Sequence, residues 1–269
     1  MKSLSEKAAR NLIAIRKKKP LIHNITNYVV MNYTANALLA MGASPVMAHA
    51  SNEVEEMVSF AGALVLNIGT LTDDWIASMI KAGKKASESK TPIILDPVGS
   101  GATSLRTNAS KRIIQETRVS VIRGNASEIL SLRKDDSKTK GVDSIHSVEA
   151  AERSAKILAG ELNSVLAVTG QTDLITDGKR VIRVSNGHPL MGYVTGTGCA
   201  ATTTIGAFLS VDEDPVSAAA TALAFFGLAG EVAAKNAFAP GSFMIAMLDA
   251  LYTITPEELL RKCKFQNGT

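Results

Sequence analysis

The sequence predicts an α/β fold with a mostly parallel central sheet flanked by helices. Short apolar runs alternate along the chain with amphipathic segments, which is typical of a layered α/β domain. Several of these runs are continuously apolar, as expected for parallel strands that are covered on both faces. Because no linker, internal repeat or low-complexity tract interrupts the pattern, we predict a single domain over residues 1–269.

Helical spacing and terminal signals define the first elements. Four apolar residues recur at helical spacing and predict a first helix that ends before Pro20: Leu4, Ala8, Leu12 and Ile15. A strand around 20–24 follows, and then a helix over 27–41 that Gly42 is expected to cap. Further strands are predicted at 46–48, 63–68 and 92–95, with a helix over 73–90.

The second half of the chain begins with predicted strands at 119–122 and 164–168, separated by a helix over 147–162. The pattern then changes, because two short strands over 173–176 and 180–184 flank Asp177-Gly178. This pair predicts a type I′ hairpin and therefore an antiparallel edge of the sheet. From Gly198 onward the chain is rich in alanine, and we predict about four helices to its end.

The positive charge of the chain does not indicate a nucleic-acid partner. The net charge is +4 and the pI is about 9.0, but the one tight basic run, over 16–19, lies at the end of the first predicted helix. Cations stabilise the negative terminus of a helix, so this run needs no ligand. Aromatic residues make up only 4% of the chain, which leaves few platforms for stacked bases.

Cysteine usage and hydropathy indicate a cytoplasmic protein without a membrane partner. Cys199 and Cys263 lie far apart and share no metal-ligand spacing, which fits a reducing compartment. The first 16 residues lack the apolar core of a secretory signal. The uncharged stretch over 184–211 is too rich in Gly, Thr, Asn and Pro for a membrane span.

A glycine-rich segment, Gly196-Thr197-Gly198-Cys199, immediately precedes an Ala-rich predicted helix. Small residues let the backbone approach a ligand closely, and the unpaired N–H groups of a helix start suit an anion. The alternative is a flexible loop before a buried helix. The spacing matches neither of the two common phosphate motifs.

Three predicted strands end in polar residues, and each has an alternative explanation. Asp96 follows a strand, where ligands of open α/β sheets bind, but Asp before Pro also forms turns. Arg123 suits phosphate and Glu128 suits Mg²⁺ held through water, although Asn125 and Glu128 are also spaced as a capping box. Thr169 lies either at a nucleotide site or at a simple turn. Together these groups are sufficient for phosphoryl transfer.

Six segments in order make the chain resemble the hydroxyethylthiazole kinase family. They cover 21–27 (LIHNITN), 43–48 (ASPVMA), 66–71 (LNIGTL), 95–99 (LDPVG), 122–128 (IRGNASE) and 194–199 (VTGTGC). The resemblance implies a ribokinase-like fold. It also implies ATP-dependent phosphorylation of the hydroxyl of 4-methyl-5-(2-hydroxyethyl)thiazole in thiamine biosynthesis and salvage.

The resemblance also implies the ligand contacts and the assembly. Arg123 and Thr169 would contact ATP, whereas Met47 and Gly196 would contact the thiazole alcohol. From its residue type alone, Met47 is expected to be a core residue. The family typically forms homotrimers whose active sites lie between neighbouring subunits.

The remaining implied roles concern the metal and the proton. Asp96 and Glu128 would serve Mg²⁺ and the phosphates, and Asn27 is a weaker candidate for the substrate pocket. Cys199 falls where most ribokinase-like enzymes have an Asp base. Its position at a helix start is expected to lower the pKa of the thiol, although a nearby γ-phosphate opposes this.

Three rival functions remain open on the sequence alone. The first is a ribokinase-like kinase for another alcohol, such as hydroxymethylpyrimidine. The second is a nucleotide-dependent hydrate dehydratase, which would release water without forming ADP from ATP. The third is a regulator that binds ATP without turnover.

Overall fold

A nine-stranded sheet forms the centre of the computed structural model, which describes residues 3–133 and 148–267. The strand order is β2-β1-β3-β4-β5-β6-β7-β8-β9; the first six positions are parallel and the last three strands are antiparallel. The strands are β1 Leu21–Ile25, β2 Ser44–Val46, β3 Ala63–Asn67, β4 Ile93–Asp96, β5 Val119–Asn125, β6 Val165–Thr169, β7 Asp173–Thr176, β8 Val181–Val184 and β9 Phe265–Asn267.

Helices cover both faces of this sheet, which confirms the predicted fold class. They are α1 Leu4–Lys18, α2 Met31–Met41, α3 Val54–Phe60, α4 Asp73–Ser89, α5 Ser104–Glu116, α6 Ala126–Leu130, α7 Val148–Leu162, α8 Thr197–Leu209, α9 Pro215–Lys235, α10 Pro240–Thr253 and α11 Pro256–Lys262. A short 3-10 helix spans Pro189–Tyr193. The single-domain assignment of 1–269 stays a prediction, and residue 147, the predicted start of α7, lies outside the described residues.

Alternation along the buried strands divides the core into two layers. In β3, Ala63 and Val65 belong to the layer that contains α1, α2, α8, α9 and α10. Leu64 and Leu66 belong to the opposite layer, which contains α3, α4 and α5. Every residue of β3 is buried, which explains why the strand reads as a continuous apolar run in the sequence.

The predicted elements differ from the structure in several places, and the strand predicted over 46–48 lies two residues earlier, as β2 Ser44–Val46. Helix α2 begins at Met31 rather than at residue 27, because residues 28–30 form a turn. Helices α3 and α5 were not predicted. The short strand β9 was also not predicted, and it pairs with β8 at the sheet edge, where Phe265 lies opposite Val184.

The predicted type I′ turn at Asp177-Gly178 is wrong, although the antiparallel hairpin is confirmed. Thr176 pairs with Val181, so four residues rather than two connect the strands. Asp177 Oδ1 accepts hydrogen bonds from the backbone N–H groups of Lys179 and Arg180 at 2.9 and 2.7 Å. This side-chain turn lengthens the loop, and Gly178 alone in it has a positive φ, 91°.

Helix α9 is long and apolar enough to cross a membrane, and within the described part of the chain it is the one helix with this property. However, 89% of its most apolar 18-residue window is buried inside the fold. Its neighbours include α8 and α10. Burial in the core therefore accounts for its composition.

Candidate active site

Three of the polar residues singled out in the sequence meet at the carboxyl edge of the sheet. Asp96 ends β4, Arg123 lies in β5 and Thr169 ends β6, and these strands are adjacent and parallel. Arg123 Nη2 donates to Thr169 Oγ1 at 2.7 Å, and Arg123 Nη1 lies 3.9 Å from Asp96 Oδ2. The guanidinium group therefore bridges the ends of three neighbouring strands.

The start of α8 lies against this guanidinium group and requires glycine at two positions. Gly196 has a φ of 85°, and a Cβ there would lie 2.8 Å from Val30 Cγ1. A Cβ at Gly198 would lie 2.6 Å from Arg123 Nη1. The glycines thus allow close packing at the start of α8.

Asp96 is buried to 1% exposure and makes an asymmetric set of hydrogen bonds. Its Oδ2 atom accepts from Asn67 Nδ2 at 2.9 Å and from Thr202 Oγ1 at 2.8 Å. Its Oδ1 atom is buried and has no hydrogen-bond partner among the described residues. Burial raises the pKa of Asp96, and the charge of Arg123 opposes this shift.

Cys199 lies beside the same network, in the first turn of α8. Asn27 Nδ2 donates to Cys199 Sγ at 3.6 Å and to Asn67 Oδ1 at 2.8 Å. Burial and then the charge of Asp96 raise the pKa of the Cys199 thiol to about 11. The expected lowering of this pKa by the helix start is therefore wrong, because desolvation and the neighbouring carboxylate outweigh it.

Glu128 forms the capping box that its spacing predicted. Asn125 Oδ1 accepts from Glu128 N at 2.9 Å, and Glu128 Oε2 accepts from Asn125 N at 2.9 Å. The second oxygen, Oε1, accepts from Gly99 N at 2.8 Å and so ties α6 to the loop that follows Asp96. Burial is the main cause of the raised pKa of Asp96, and the charge of Glu128 adds to it.

Met47 lies on a different part of the carboxyl edge. It follows β2, the outermost parallel strand, and is half-buried. Gly196 packs against Val30 and Tyr33, at the start of α2. Met47 is not among the residues that line the cavity beside Arg123.

That cavity has a volume of about 830 Å³ and extends from the end of β6 to the start of α8. Arg123, Thr169, Asp173, Thr197 and Gly198 are among its lining residues. It combines a cation, hydroxyl groups and the amino-terminal end of a helix, which together suit a phosphorylated ligand.

Two residues of this edge were not recognised in the sequence. Burial raises the pKa of Asp173 to about 6, although the hydrogen bond from Gly170 N–H and the charge of Arg123 both lower it. In the sequence, Asp173 was identified only as the start of a predicted strand. Arg106 of α5 donates to the carbonyl oxygens of Val98 and Gly69, both at 2.6 Å. No local sequence signal predicts the contacts of Arg106, because they join α5 to two separate loops.

The carboxylates suit a magnesium ion that is held largely by water and phosphate. No three His, Cys, Asp or Glu side chains come together as a metal cage within the described residues. Mg²⁺ commonly takes one or two carboxylates and completes its shell with water and substrate phosphates. Asp96, with its unpaired Oδ1, and Glu128 are such a pair.

Comparison with solved structures identifies the fold. A solved structure of a ribokinase-like superfamily protein from Enterococcus faecalis matches with a TM-score of 0.64 at 13% identity, over 95% of this chain and 96% of that one. At this identity the match concerns the fold alone. The fold is therefore that of the ribokinase-like proteins, as the family resemblance implied.

More similar proteins identify the family. The hydroxyethylthiazole kinase family model matches residues 12–257. A protein named hydroxyethylthiazole kinase from Desulfotalea psychrophila is 64% identical over 100% of this chain and 98% of its own length. The structure of a hydroxyethylthiazole kinase from Pyrococcus horikoshii OT3 matches with a TM-score of 0.90 at 45% identity, over 97% of this chain and 99% of that one. The chain belongs to the hydroxyethylthiazole kinase family and is an enzyme of the kinase class.

Proposed function

We propose that this kinase transfers the γ-phosphoryl group of ATP to the hydroxyl of 4-methyl-5-(2-hydroxyethyl)thiazole in thiamine biosynthesis and salvage. The observation that carries the proposal is the match to the family over residues 12–257, with 64% identity to a named relative along the whole chain. The carboxyl edge of the sheet supports it, because cation, carboxylates and helix start are the parts that phosphoryl transfer uses.

ATP is assigned to the 830 Å³ cavity. Arg123 and Thr169 are its proposed contacts, since both line the cavity and their side chains are joined by a 2.7 Å hydrogen bond. A guanidinium group binds phosphate oxygens through charge-assisted hydrogen bonds. The start of α8 adds backbone N–H groups that stabilise developing negative charge.

The thiazole alcohol is assigned to a region outside that cavity, with Met47 and Gly196 as contacts, since neither residue is among those that line the cavity. Asn27, whose amide reaches Cys199 Sγ, is a further candidate in this pocket. The alcohol would then approach Cys199 and the start of α8 from the side opposite the nucleotide.

Asp96 and Glu128 are the proposed magnesium ligands, directly or through water. The bound ion would neutralise charge on the phosphates and orient them. The protein contributes fixed carboxylates: Glu128 is held by two backbone N–H groups, and Asp96 by Asn67 and Thr202.

Cys199 is the proposed base that accepts the proton of the attacking hydroxyl. With a pKa of about 11, only about one molecule in 10⁴ carries the thiolate at pH 7 before substrates bind. Base catalysis by Cys199 is therefore expected to lie at the lower end of its usual range. Most of the rate acceleration is assigned to positioning and to the charges of Arg123, the α8 amides and the metal.

We also propose a cytoplasmic homotrimer with active sites between subunits. Tyr28 and Val29 support this arrangement, since they are 61% and 65% exposed and belong to the turn that leads to Val30, beside Gly196. A partner subunit at this position would cover apolar surface next to the substrate side. Native mass spectrometry of the intact protein should give three subunits, and a monomer would contradict the proposal.

The proposed reaction has a direct test. The purified protein should form ADP from ATP only when the thiazole alcohol and Mg²⁺ are both present, because the alcohol is the acceptor and the metal neutralises the phosphates. Coupled ADP detection measures this. Unchanged activity in EDTA, or no ADP with the thiazole alcohol, would contradict it.

The same assay separates the rival functions. Greater turnover of hydroxymethylpyrimidine would favour the other vitamin-precursor kinase. Loss of water from a hydrate without ADP formed from ATP would favour a dehydratase. Binding of ATP without ADP release for any alcohol would favour a regulator.

Glu128→Gln should separate the capping role from the metal role. A glutamine side chain has one acceptor oxygen, so it keeps one of the two backbone hydrogen bonds and costs about 1 kcal/mol of stability. Because the charge on the metal side is removed, we expect turnover to fall by at least about tenfold, or about 1.4 kcal/mol of barrier. Thermal unfolding and steady-state ADP release measure the two effects.

Glu258→Gln is a matched control. Glu258 closes the capping box of α11, and each of its oxygens likewise accepts one hydrogen bond, from Thr255 N and from Lys262 Nζ. Helix α11 packs against α1 rather than at the site. We expect Glu128→Gln and Glu258→Gln to lose similar amounts of stability. Only Glu128→Gln should lose turnover. Full turnover in Glu128→Gln would leave the residue as a cap only.

Cys199→Ala should fold, bind both substrates and lose part of its turnover. A positioned base typically contributes about 10²–10⁴-fold to the rate. Because the pKa of the Cys199 thiol is raised, we expect its contribution at the lower end of this range. Cys199→Asp should retain or restore activity, because a carboxylate accepts the proton without needing an alkaline pH. Steady-state turnover of the three proteins measures this.

Cys263→Ala is the control for the loss of a half-buried thiol away from the site. In this variant Cys199 is the remaining thiol, and iodoacetamide near neutral pH should modify it more slowly than free cysteine, since its pKa is raised. Wild-type turnover in Cys199→Ala would leave Cys199 as a packing residue. Fast alkylation would contradict the raised pKa.

A further inference from the structure

Thr202 lies within α8, immediately beside the carboxylate of Asp96. Its side chain is fully buried, and its hydroxyl lies 2.8 Å from Asp96 Oδ2 and 3.3 Å from the carbonyl oxygen of Gly198. A hydroxyl donates one hydrogen, and the nearer, charged acceptor forms the stronger bond. The hydroxyl of Thr202 is therefore directed at the carboxylate.

Asn67 donates to the same oxygen from the sheet side. Asn67 lies opposite Asp96 in the register of β3 and β4, and its Nδ2 donates to Asp96 Oδ2 at 2.9 Å. Its own Oδ1 accepts from Asn27 Nδ2 at 2.8 Å and from Gly69 N at 3.0 Å. These two donors fix the orientation of the Asn67 amide, so its NH₂ group must face Asp96.

The two donors make the oxygens of Asp96 unequal. Oδ2 has a donor from the sheet and a donor from α8, whereas Oδ1 has no partner among the described residues. Rotation about the carboxyl torsion of an aspartate is otherwise broad. Two hydrogen bonds to one oxygen restrict this rotation and leave the other oxygen available to a ligand.

We infer that Thr202 is a positioning residue for phosphoryl transfer, which fixes the Asp96 carboxylate so that Oδ1 is the oxygen offered to the magnesium ion, directly or through a bound water. This inference rests on the proposed function. Thr202 contacts neither substrate; it acts through Asp96. Side chains that hydrogen-bond a metal ligand from behind typically change metal affinity or activity by about 10–100-fold when removed.

The next residue, Thr203, supplies a matched control. Thr203 is also fully buried in α8, and its Oγ1 donates to Asn24 Oδ1 of β1, again at 2.8 Å. Asn24 in turn donates to the carbonyl oxygen of Ile22. The two threonines thus make the same kind of helix-to-sheet hydrogen bond, but that of Thr203 does not reach Asp96 or Cys199.

The experiment compares Thr202→Val with Thr203→Val in the full-length protein. Each substitution keeps the shape of the side chain and removes one buried hydroxyl, so both should lower the melting temperature. The first readout is the rise in melting temperature caused by a non-hydrolysable ATP analogue, measured across a Mg²⁺ titration and in EDTA. The second is kcat and KM for the thiazole alcohol.

For Thr202→Val we expect the Mg²⁺ concentration that gives half of the stabilisation to rise by about 10–100-fold. We expect kcat to fall by a similar factor. The KM for the thiazole alcohol should change little, because the Thr202 hydroxyl bonds to Asp96 and not to Met47 or Gly196, the proposed thiazole contacts. Thr203→Val should match the wild type in both readouts, and Thr202→Ser should restore them. If either valine variant fails to fold, Thr202→Ala and Thr203→Ala carry the same comparison.

Wild-type Mg²⁺ dependence and kcat in a folded Thr202→Val variant would overturn the inference. Equal losses in the Thr202 and Thr203 variants would also overturn it, because the effect would then be one of helix packing. Failure of the proposed function is recognisable separately, since the wild-type protein itself would then form no ADP with the thiazole alcohol.

Discussion

The close approach of α8 to the sheet is the constraint on which the site depends. A Cβ at Gly206 would lie 3.0 Å from Val65 Cγ2, and one at Gly198 would lie 2.6 Å from Arg123 Nη1. Glycine near both ends of the helix therefore brings its backbone close to the strands. At this distance the Thr202 hydroxyl reaches Asp96, and the first turn of the helix lies beside the guanidinium group of Arg123.

The same packing sets the electrostatics. Burial raises the pKa of Asp96, and the opposing contributions come from Arg123 and from the hydrogen bonds of Thr202 and Asn67. A buried carboxylate with one unpaired oxygen is costly unless a cation or a donor completes it. Cys199 lies in the same desolvated region, so its pKa rises through burial and through the charge of Asp96. These surroundings favour a cation beside the Asp96 carboxylate, and they disfavour the thiolate form of Cys199.

The sheet and its polar edge could be predicted from sequence because local patterns determine them. Continuous apolar runs identified the parallel strands, and Asp96, Arg123 and Thr169 lie near the carboxyl ends of three of them. Contacts between distant segments determine the rest. Strand β9 pairs with β8 across about eighty residues, and desolvation of Cys199 arises from the packing of α8 on the sheet. No spacing in the sequence reports either effect.

Glu128 illustrates why two explanations of one motif need not compete. The capping box uses one backbone hydrogen bond at Oε2, and the Gly99 N–H group uses one at Oε1. An ionised carboxylate has about four lone-pair positions, so both oxygens keep acceptor capacity. The capping hydrogen bonds also fix the orientation of the Glu128 carboxylate. Functional sites are most precise when such supporting contacts orient the side chains that bind the ligand. The capping-box spacing is therefore compatible with a ligand at Glu128, because the cap holds the carboxylate in place.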